Sequence, residues 1–202
     1  MDGIRDVRSA AVAELDGLTT TISLAFHDDP TWSWAFPDAA RRQEQYSVFW
    51  RFVIAGALRY PWVLRTAGYE AVAVWIPPGG TELAKADEER LEPLLKTLVG
   101  ARSAEVMELL ARFDSAHPSG PPHYYLSLLG THPDHRGRGI GMGLLRDCLA
   151  RIDSEHMPAY LESSNPANNQ RYERFGFEAV GEFFPPGRES GPPLTTMWRG
   201  PR

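Results

Sequence analysis

Cysteine is almost absent. Cys148 stands alone in a chain of 202 residues, which excludes an intramolecular disulfide and a cysteine-rich metal site. Also missing is any apolar run near the ~20 residues that a membrane-spanning helix needs. The opening segment, MDGIRDVRSA, lacks the apolar core of a signal peptide, so a soluble, cytoplasmic protein is expected. An excess of positive charge is missing too: 21 Lys and Arg against 26 Asp and Glu give a formal net charge of -5. That balance offers no general attraction to nucleic acid or an anionic membrane, and neither is expected as a partner.

What is present is material for a core, with 43% hydrophobic and 11% aromatic residues. Residues 4–8 read as a short strand, and residues 10–26 carry apolar side chains at helical spacing. A second helix is predicted from about Ala39 to Leu58. WVLRTAG and YEAVAVWIPP read as two strands around Gly68. From Glu82 to Phe113 the text is helical, with Leu91, Leu94, Leu95 and Leu98 on one face and Val106, Leu109, Leu110 and Phe113 following Gly100. HPSGPP, at 117–122, is the best linker candidate. Neither side of it holds a balanced set of elements, so one domain over 1–202 is expected, with a helical insert at about 81–116. HYYLSLLGT then reads as a central strand, followed by a glycine loop and a helix to about Ser154. PAYLESS, FEAVGEFF and LTTMWRG are further strands, with a short helix in NNQRYERFGF. The fold class is α/β (α+β), with a mixed sheet.

The glycine loop is the most informative stretch. HPDHRGRGIGMGLLRDCLA, His132 to Ala150, sets Gly137, Gly139, Gly141 and Gly143 at alternate positions between a strand and a helix. Glycines in such density cost backbone entropy. A strand, a glycine loop and a helix start together present free N–H groups, an arrangement suited to phosphate. The P-loop pattern fails, because Met142 stands five residues after Gly137 and no Lys-Ser pair follows. The dinucleotide pattern fails as well: its third glycine falls on Met142, Leu144 or Arg146. What remains is Arg136-x-x-Gly139-x-Gly141.

That pattern resembles the acetyl-coenzyme A pyrophosphate loop of the GNAT superfamily of N-acetyltransferases. LGTHPDHRGRGIGMGLL is similar to the family's whole strand–loop–helix unit. NPANNQRYERFGF resembles its second signature, with Asn165 seven residues before Tyr172 and Gly176-Phe177 after it. Ala25, Phe26, Asp29 and Pro30, AVAVWIPP and LESSNPANNQRYERFGF are similar in layout to the puromycin N-acetyltransferase-like, small-molecule subgroup. The resemblance implies a GNAT fold, a mixed central sheet whose middle strands splay apart between flanking helices. It implies acetyl-coenzyme A as donor and no metal.

Backbone N–H groups of Gly137, Arg138, Gly139, Ile140, Gly141 and Met142 are then expected around the pyrophosphate, where a Cβ would hold the phosphates away. Arg136 and Arg138 either pair with phosphate oxygens or are solvated. Leu129, Gly130 and Thr131 would offer backbone groups to the pantetheine arm. Asn165 and Asn168 contact the cofactor or cap a helix, and Asn165-Pro166 is equally a good helix start.

Moving an acetyl group from a thioester to an amine sets two further tasks. The departing thiolate needs a proton, and Tyr172 is the candidate donor, since the resemblance puts it near the sulfur and a phenol has a pKa of ~10 against ~8.5 for a thiol. The amine must lose a proton, and Glu162 is the candidate base or water-orienter, with ordinary hydrogen bonding as its other reading. In HDDPTWSWAFPD, Asp29, Trp32 and Trp34 suit a pocket for a cationic amine, with Tyr125 from the central strand. The same segment also reads as a helix–loop packed on the core, with Asp29 as its cap. His132 and His135 lack a third ligand, and Cys148 reads as core.

The expected function is acetyl-coenzyme A-dependent acetylation of a primary amine on a small molecule, antibiotic- or aminonucleoside-like, by direct attack in a ternary complex. The protein would act as a monomer or homodimer. Two other roles suit the same motifs: acetylation of a protein lysine or N-terminus, and a non-catalytic acyl-coenzyme A sensor.

Overall fold

The computed structural model describes residues 7–202. A seven-stranded mixed sheet runs in the order β1 (Arg8–Ser9), β2 (Val63–Arg65), β3 (Ala71–Ile76), β4 (Tyr124–Thr131), β5 (Ala159–Ser163), β7 (Leu194–Arg199) and β6 (Glu178–Phe183). Every neighbouring pair is antiparallel except β4 and β5, which run parallel. One face is covered by α1 (Leu15–Ala25), α2 (Pro30–Ala35), α3 (Arg42–Ala57), α4 (Lys85–Val99) and α5 (Ser103–Ala116). The other is covered by α6 (Ile140–Ser154), with the short α7 (Asn169–Glu173) beside it.

Strand β3 shows how the sequence divides between these layers. All six residues are buried, as in a strand covered on both faces. Val72, Val74 and Ile76 join Leu18, Ile22, Trp50 and Ile54 of the first layer. Ala71, Ala73 and Trp75 point the other way, into Leu144, Leu145, Cys148 and Ile152 of α6. Those α6 residues recur at helical spacing and make one apolar stripe. At its far end, Arg199 of β7 donates two hydrogen bonds to Asp153, of 2.6 and 2.8 Å, a bidentate pairing that fixes orientation as well as distance.

Several expectations shift by local chemistry. The first strand is Arg8–Ser9, and residues 4–6 of the predicted 4–8 strand lie outside the described residues. The first helix opens with a 3-10 turn at Val12–Glu14, where the Glu14 carboxylate accepts the Ala11 N–H at 2.8 Å. In the β2–β3 turn the left-handed residue is Tyr69, φ 58°, instead of Gly68. Its hydroxyl donates to Glu14 and its ring faces Arg65, contacts that hold the strained conformation. The long helical run breaks in two at Gly100, φ 59°. HDDPTWSWAFPD contains a helix, α2, whose cap is Asp29.

The feature that positions the site lies in β4. Val74 pairs with Leu128 and Trp75 with Leu126, so Ser127 has no partner in β3. This is a β-bulge, which bends and twists its strand. Leu126 lies with the α6 layer while Leu128 lies with the α1–α3 layer, although an unbroken strand would aim both the same way. Pairing between β4 and β5 stops at the same place: Tyr124–Ala159, Tyr125–Tyr160 and Leu126–Leu161 are its three registers. Beyond them β4 stays with β3 to Thr131, and β5 stays with β7 through Ser163. The middle strands splay.

Helix α1 rests directly on the splayed half of β4. A Cβ on Gly130 would come within 2.9 Å of both Ala25 and Ile22. Gly130→Val is therefore expected to destabilise the fold by about 1–3 kcal/mol through overpacking. Urea unfolding should give a lower midpoint with an unchanged slope.

Candidate active site

The wedge between β4 and β5 opens into a cavity of about 1220 Å³. Its walls are the splayed ends of both strands, the glycine loop, the α1–α2 corner, and facing parts of α4 and α5. Of the residues expected to hold the donor, Leu129, Gly130, Thr131, Arg136, Gly137, Gly139, Ile140, Gly141, Met142, Asn165 and Asn168 all line it. The structure brings them together from three segments.

The loop glycines are needed for two reasons. Gly139, the residue before α6, has φ 71°, a left-handed conformation that costs an L-residue roughly 1–2 kcal/mol. Gly141 has ordinary geometry, but a Cβ there would overlap the Thr131 hydroxyl. With the loop in this shape, the N–H groups of Ile140, Gly141 and Met142 have no carbonyl one turn earlier, and the dipole of α6 favours an anion beside them. Arg136 donates to the Ala25 carbonyl at 2.8 Å, pinning the loop to the end of α1.

On the opposite wall, Asn165 caps the 3-10 turn Pro166–Asn168 by accepting the Ala167 N–H at 3.0 Å. Asn168 accepts from Arg171 at 2.8 Å. Tyr172, on α7, is buried at the cavity wall, and burial pushes its phenol up to about 12, with the Asp29 charge adding to the rise. It keeps its proton at neutral pH.

Asp29 ties α2 to this wall. Its Oδ1 accepts the Thr31 and Trp32 N–H groups at 3.0 and 3.1 Å, and its Oδ2 accepts from Ser164 at 2.7 Å. Thr31 returns a bond to the Ser164 carbonyl at 3.0 Å. Burial raises the Asp29 pKa despite these donors. Trp32 stacks into a cluster with Phe49, Trp50 and Phe113 and lines the cavity.

Glu162 lies at the point where β5 leaves β4. Its side chain is 2% exposed, and its Oε1 has no hydrogen-bond partner among the described residues. Burial raises its pKa to about 8; the Tyr125 and Tyr160 hydroxyls pull downward and Glu82 adds repulsion. Glu82, held by a hydrogen bond from Ser127, is raised by burial and by Asp114. The bulge thus aims Ser127 at a second carboxyl in the same cavity.

Residues 100–179 match the family model described as an acetyltransferase (GNAT) domain. Those residues carry a GNAT acetyltransferase domain. It is an acyltransferase. Similar solved structures include an acetyltransferase from Corynebacterium glutamicum described as histone acetyltransferase-related, with 24% identity, TM-score 0.68, and 99% of this chain and 98% of that one covered. An agmatine N-acetyltransferase matches at 17% identity and TM-score 0.63, covering 98% and 100%. Arylalkylamine N-acetyltransferase 2 from Aedes aegypti matches at 11% identity and TM-score 0.66, covering 99% and 100%. At these identities the likeness is one of fold.

Two expected site residues of this acetyltransferase lie apart from the cavity. Trp34 is on the far side of α2, under the Arg102 guanidinium at 4.9 Å, because a helix turns residues two apart to different faces. Arg138 points its guanidinium toward His135, at 3.1 Å, and does not line the cavity. Tyr125 lines the cavity, whereas its neighbour Tyr124 is buried under α6 with its hydroxyl on Glu155. Cys148 is buried, its thiol pushed up to about 12. His132 and His135 have ring centroids 5.8 Å apart, and no group of three metal-ligating side chains converges among the described residues. Glu82, Ser127, Tyr160, His117 and His123 escaped the sequence reading, which took HPSGPP as a linker; a pair of histidines flanking that rigid segment was its only trace.

The raised Glu162 carboxyl has a consequence for stability. The unfolded chain ionises this group near 4.5 and the folded chain near 8, so rising pH favours unfolding across that window. Glu162→Gln lacks the penalty. The variant should be more stable than wild type at pH 8.5, by on the order of a few kcal/mol, with the gap closing below pH 4.5. Thermal unfolding at both pH values checks this.

Proposed function

We propose that this acetyltransferase moves an acetyl group from acetyl-coenzyme A to the primary amine of a small, cationic molecule, both substrates being bound together in one domain. The observation that carries this reading is the shared cavity: a buried carboxyl with a pKa of about 8 and a protonated phenol stand on the same walls as the glycine loop.

The chain's residues suit the donor. The N–H groups at the start of α6 match the pyrophosphate, and the unpaired edge of β4 from Leu128 to Thr131 matches the amides of the pantetheine arm. Acetyl-coenzyme A supplies the acetyl thioester. Glu162 takes a proton from the acceptor's ammonium group, since only the neutral amine attacks, and a pKa near the working pH is what a base needs. Tyr172 holds a proton at its hydroxyl for the departing sulfur.

Charge supports a cationic acceptor. Asp28, Asp29, Glu82, Glu88, Asp114 and Glu162 line the cavity, against Arg136 and Arg171 toward the donor end. Size supports a small one. Helices α4 and α5 roof the cavity through Leu91, Leu110 and Phe113. Its volume exceeds the roughly 300–1,000 Å³ of a single-ligand pocket, enough for both substrates. Agmatine and arylalkylamines, named for the similar structures, are of this type, as are aminonucleosides such as puromycin.

A panel of such amines with acetyl-coenzyme A, read out as free thiol, should give turnover, and Tyr172→Phe should lower kcat by about 10²–10⁴ with donor binding kept. Turnover on peptides alone would overturn the small-molecule reading. Donor binding without turnover on either class would favour a sensor.

A further inference from the structure

Acetylation of an ammonium group releases one net proton: RNH3+ and a thioester give an amide, a thiol and H+. Of the two N–H protons lost, one ends on the sulfur. The other must leave the cavity, and Glu162, 2% exposed, cannot hand it straight to bulk water. From Glu162 outward stand two histidines. His117 Nδ1 lies 4.0 Å from Glu162 Oε1, and His117 Nε2 lies 3.0 Å from His123 Nε2. His123 Nδ1 lies 2.9 Å from the Pro121 carbonyl.

These contacts fix the proton positions. A carbonyl only accepts, so His123 carries a proton on Nδ1. In neutral His123, Nε2 is then a bare acceptor, and His117 must donate to it from its own Nε2. Burial, followed by the His123 charge, lowers the His117 pKa, so His117 is neutral and its Nδ1 is bare. That Nδ1 lies 4.0 Å from Glu162 Oε1, a buried carboxylate atom with no hydrogen-bond partner among the described residues.

We propose that His117 and His123 form a proton relay carrying the acceptor's proton from Glu162 to solvent. Glu162 delivers its proton to His117 Nδ1 as the His117 Nε2 proton passes to His123 Nε2. The hydrogen bond between the rings reverses, and His123 becomes the cation. It sheds the proton to water at the rim, and His117, 36% exposed, regains its first tautomer by exchange with water. The 4.0 Å gap closes when substrate is bound, as apo catalytic contacts often do.

The surroundings hold the rings without competing for the proton. His117 meets Tyr125 of β4 and Tyr160 of β5 edge-on, at 4.9 and 5.0 Å. Tyr160 donates its own hydroxyl to the Ala116 carbonyl, and His123 also meets Trp198 of β7. Both phenols are pushed far above neutrality by burial and by the Glu162 charge. Glu82 adds repulsion at Glu162, Asp114 in turn raises Glu82, and Glu88 raises Asp114.

The relay rests on the proposed role of Glu162, and its test separates the two. Nitrogen-15 NMR of the free protein reads the ring tautomers without turnover: Nε2–H on His117 and Nδ1–H on His123 are expected at pH 7.5, and the reverse tautomer on His117 overturns the relay. In the amine assay, His117→Ala and His123→Ala should lower kcat at least tenfold in dilute buffer, with KM for acetyl-coenzyme A unchanged. Added imidazole should restore each variant in proportion to its concentration while leaving wild type unaffected. Loss without rescue, or no loss, overturns the relay. No turnover by wild type on any amine overturns the acetyltransferase reading instead.

Discussion

A strand cannot leave its neighbour in the middle of a sheet without exposing backbone groups that need partners. Here β4 and β5 part after Leu126 and Leu161, and the extra residue Ser127 coincides with the parting. Each strand keeps its ladder on the outer side, β4 with β3 and β5 with β7, so the cost falls on one edge of each. The cavity, the free edge along Leu128–Thr131 and the exposure of Glu162 to the wedge all follow from that divergence. So does the reach of Ser127 toward Glu82.

A wedge between buried strands is dry, and carboxyls placed in it are held toward their protonated forms. Glu162, Glu82 and Asp29 are all raised, with burial as the leading cause in each. For Asp29 the burden is offset by three donors on both sides of the wedge, and what results is mechanical: α2 is stapled to the turn before α7. Glu82 has Ser127. Glu162 Oε1 has no hydrogen-bond partner among the described residues, which leaves it the least satisfied of the three.

The glycine-loop wall of the cavity was legible in the sequence, whereas outside the contiguous motifs only Glu162, Asp29, Trp32 and Tyr125 were. Gly139 and Gly141 announce themselves because backbone shape and close approach accept no other residue, and the motif is contiguous. Tyr172 and Asn165 came with a second contiguous motif. The surroundings of Glu162 are built by convergence: Glu82 precedes α4, His117 ends α5, His123 precedes β4, and Glu162 sits on β5. No local spacing links such positions. The strands were legible as short apolar runs bounded by turn residues, but the bulge was not, since Leu126-Ser127-Leu128 satisfies strict alternation. Trp34 misled for a related reason. Read beside Trp32 it suggested one aromatic wall, but helix α2 turns the two indoles to different sides.

The overall charge of -5 does not describe the cavity, whose lining holds Asp28, Asp29, Glu82, Glu88, Asp114 and Glu162 together with Arg136, Arg171 and the N–H groups at the start of α6. A net charge near zero would have been compatible with the same site. The sum over the chain carries no information about it; the placement of a few groups on either side of a splayed pair of strands does.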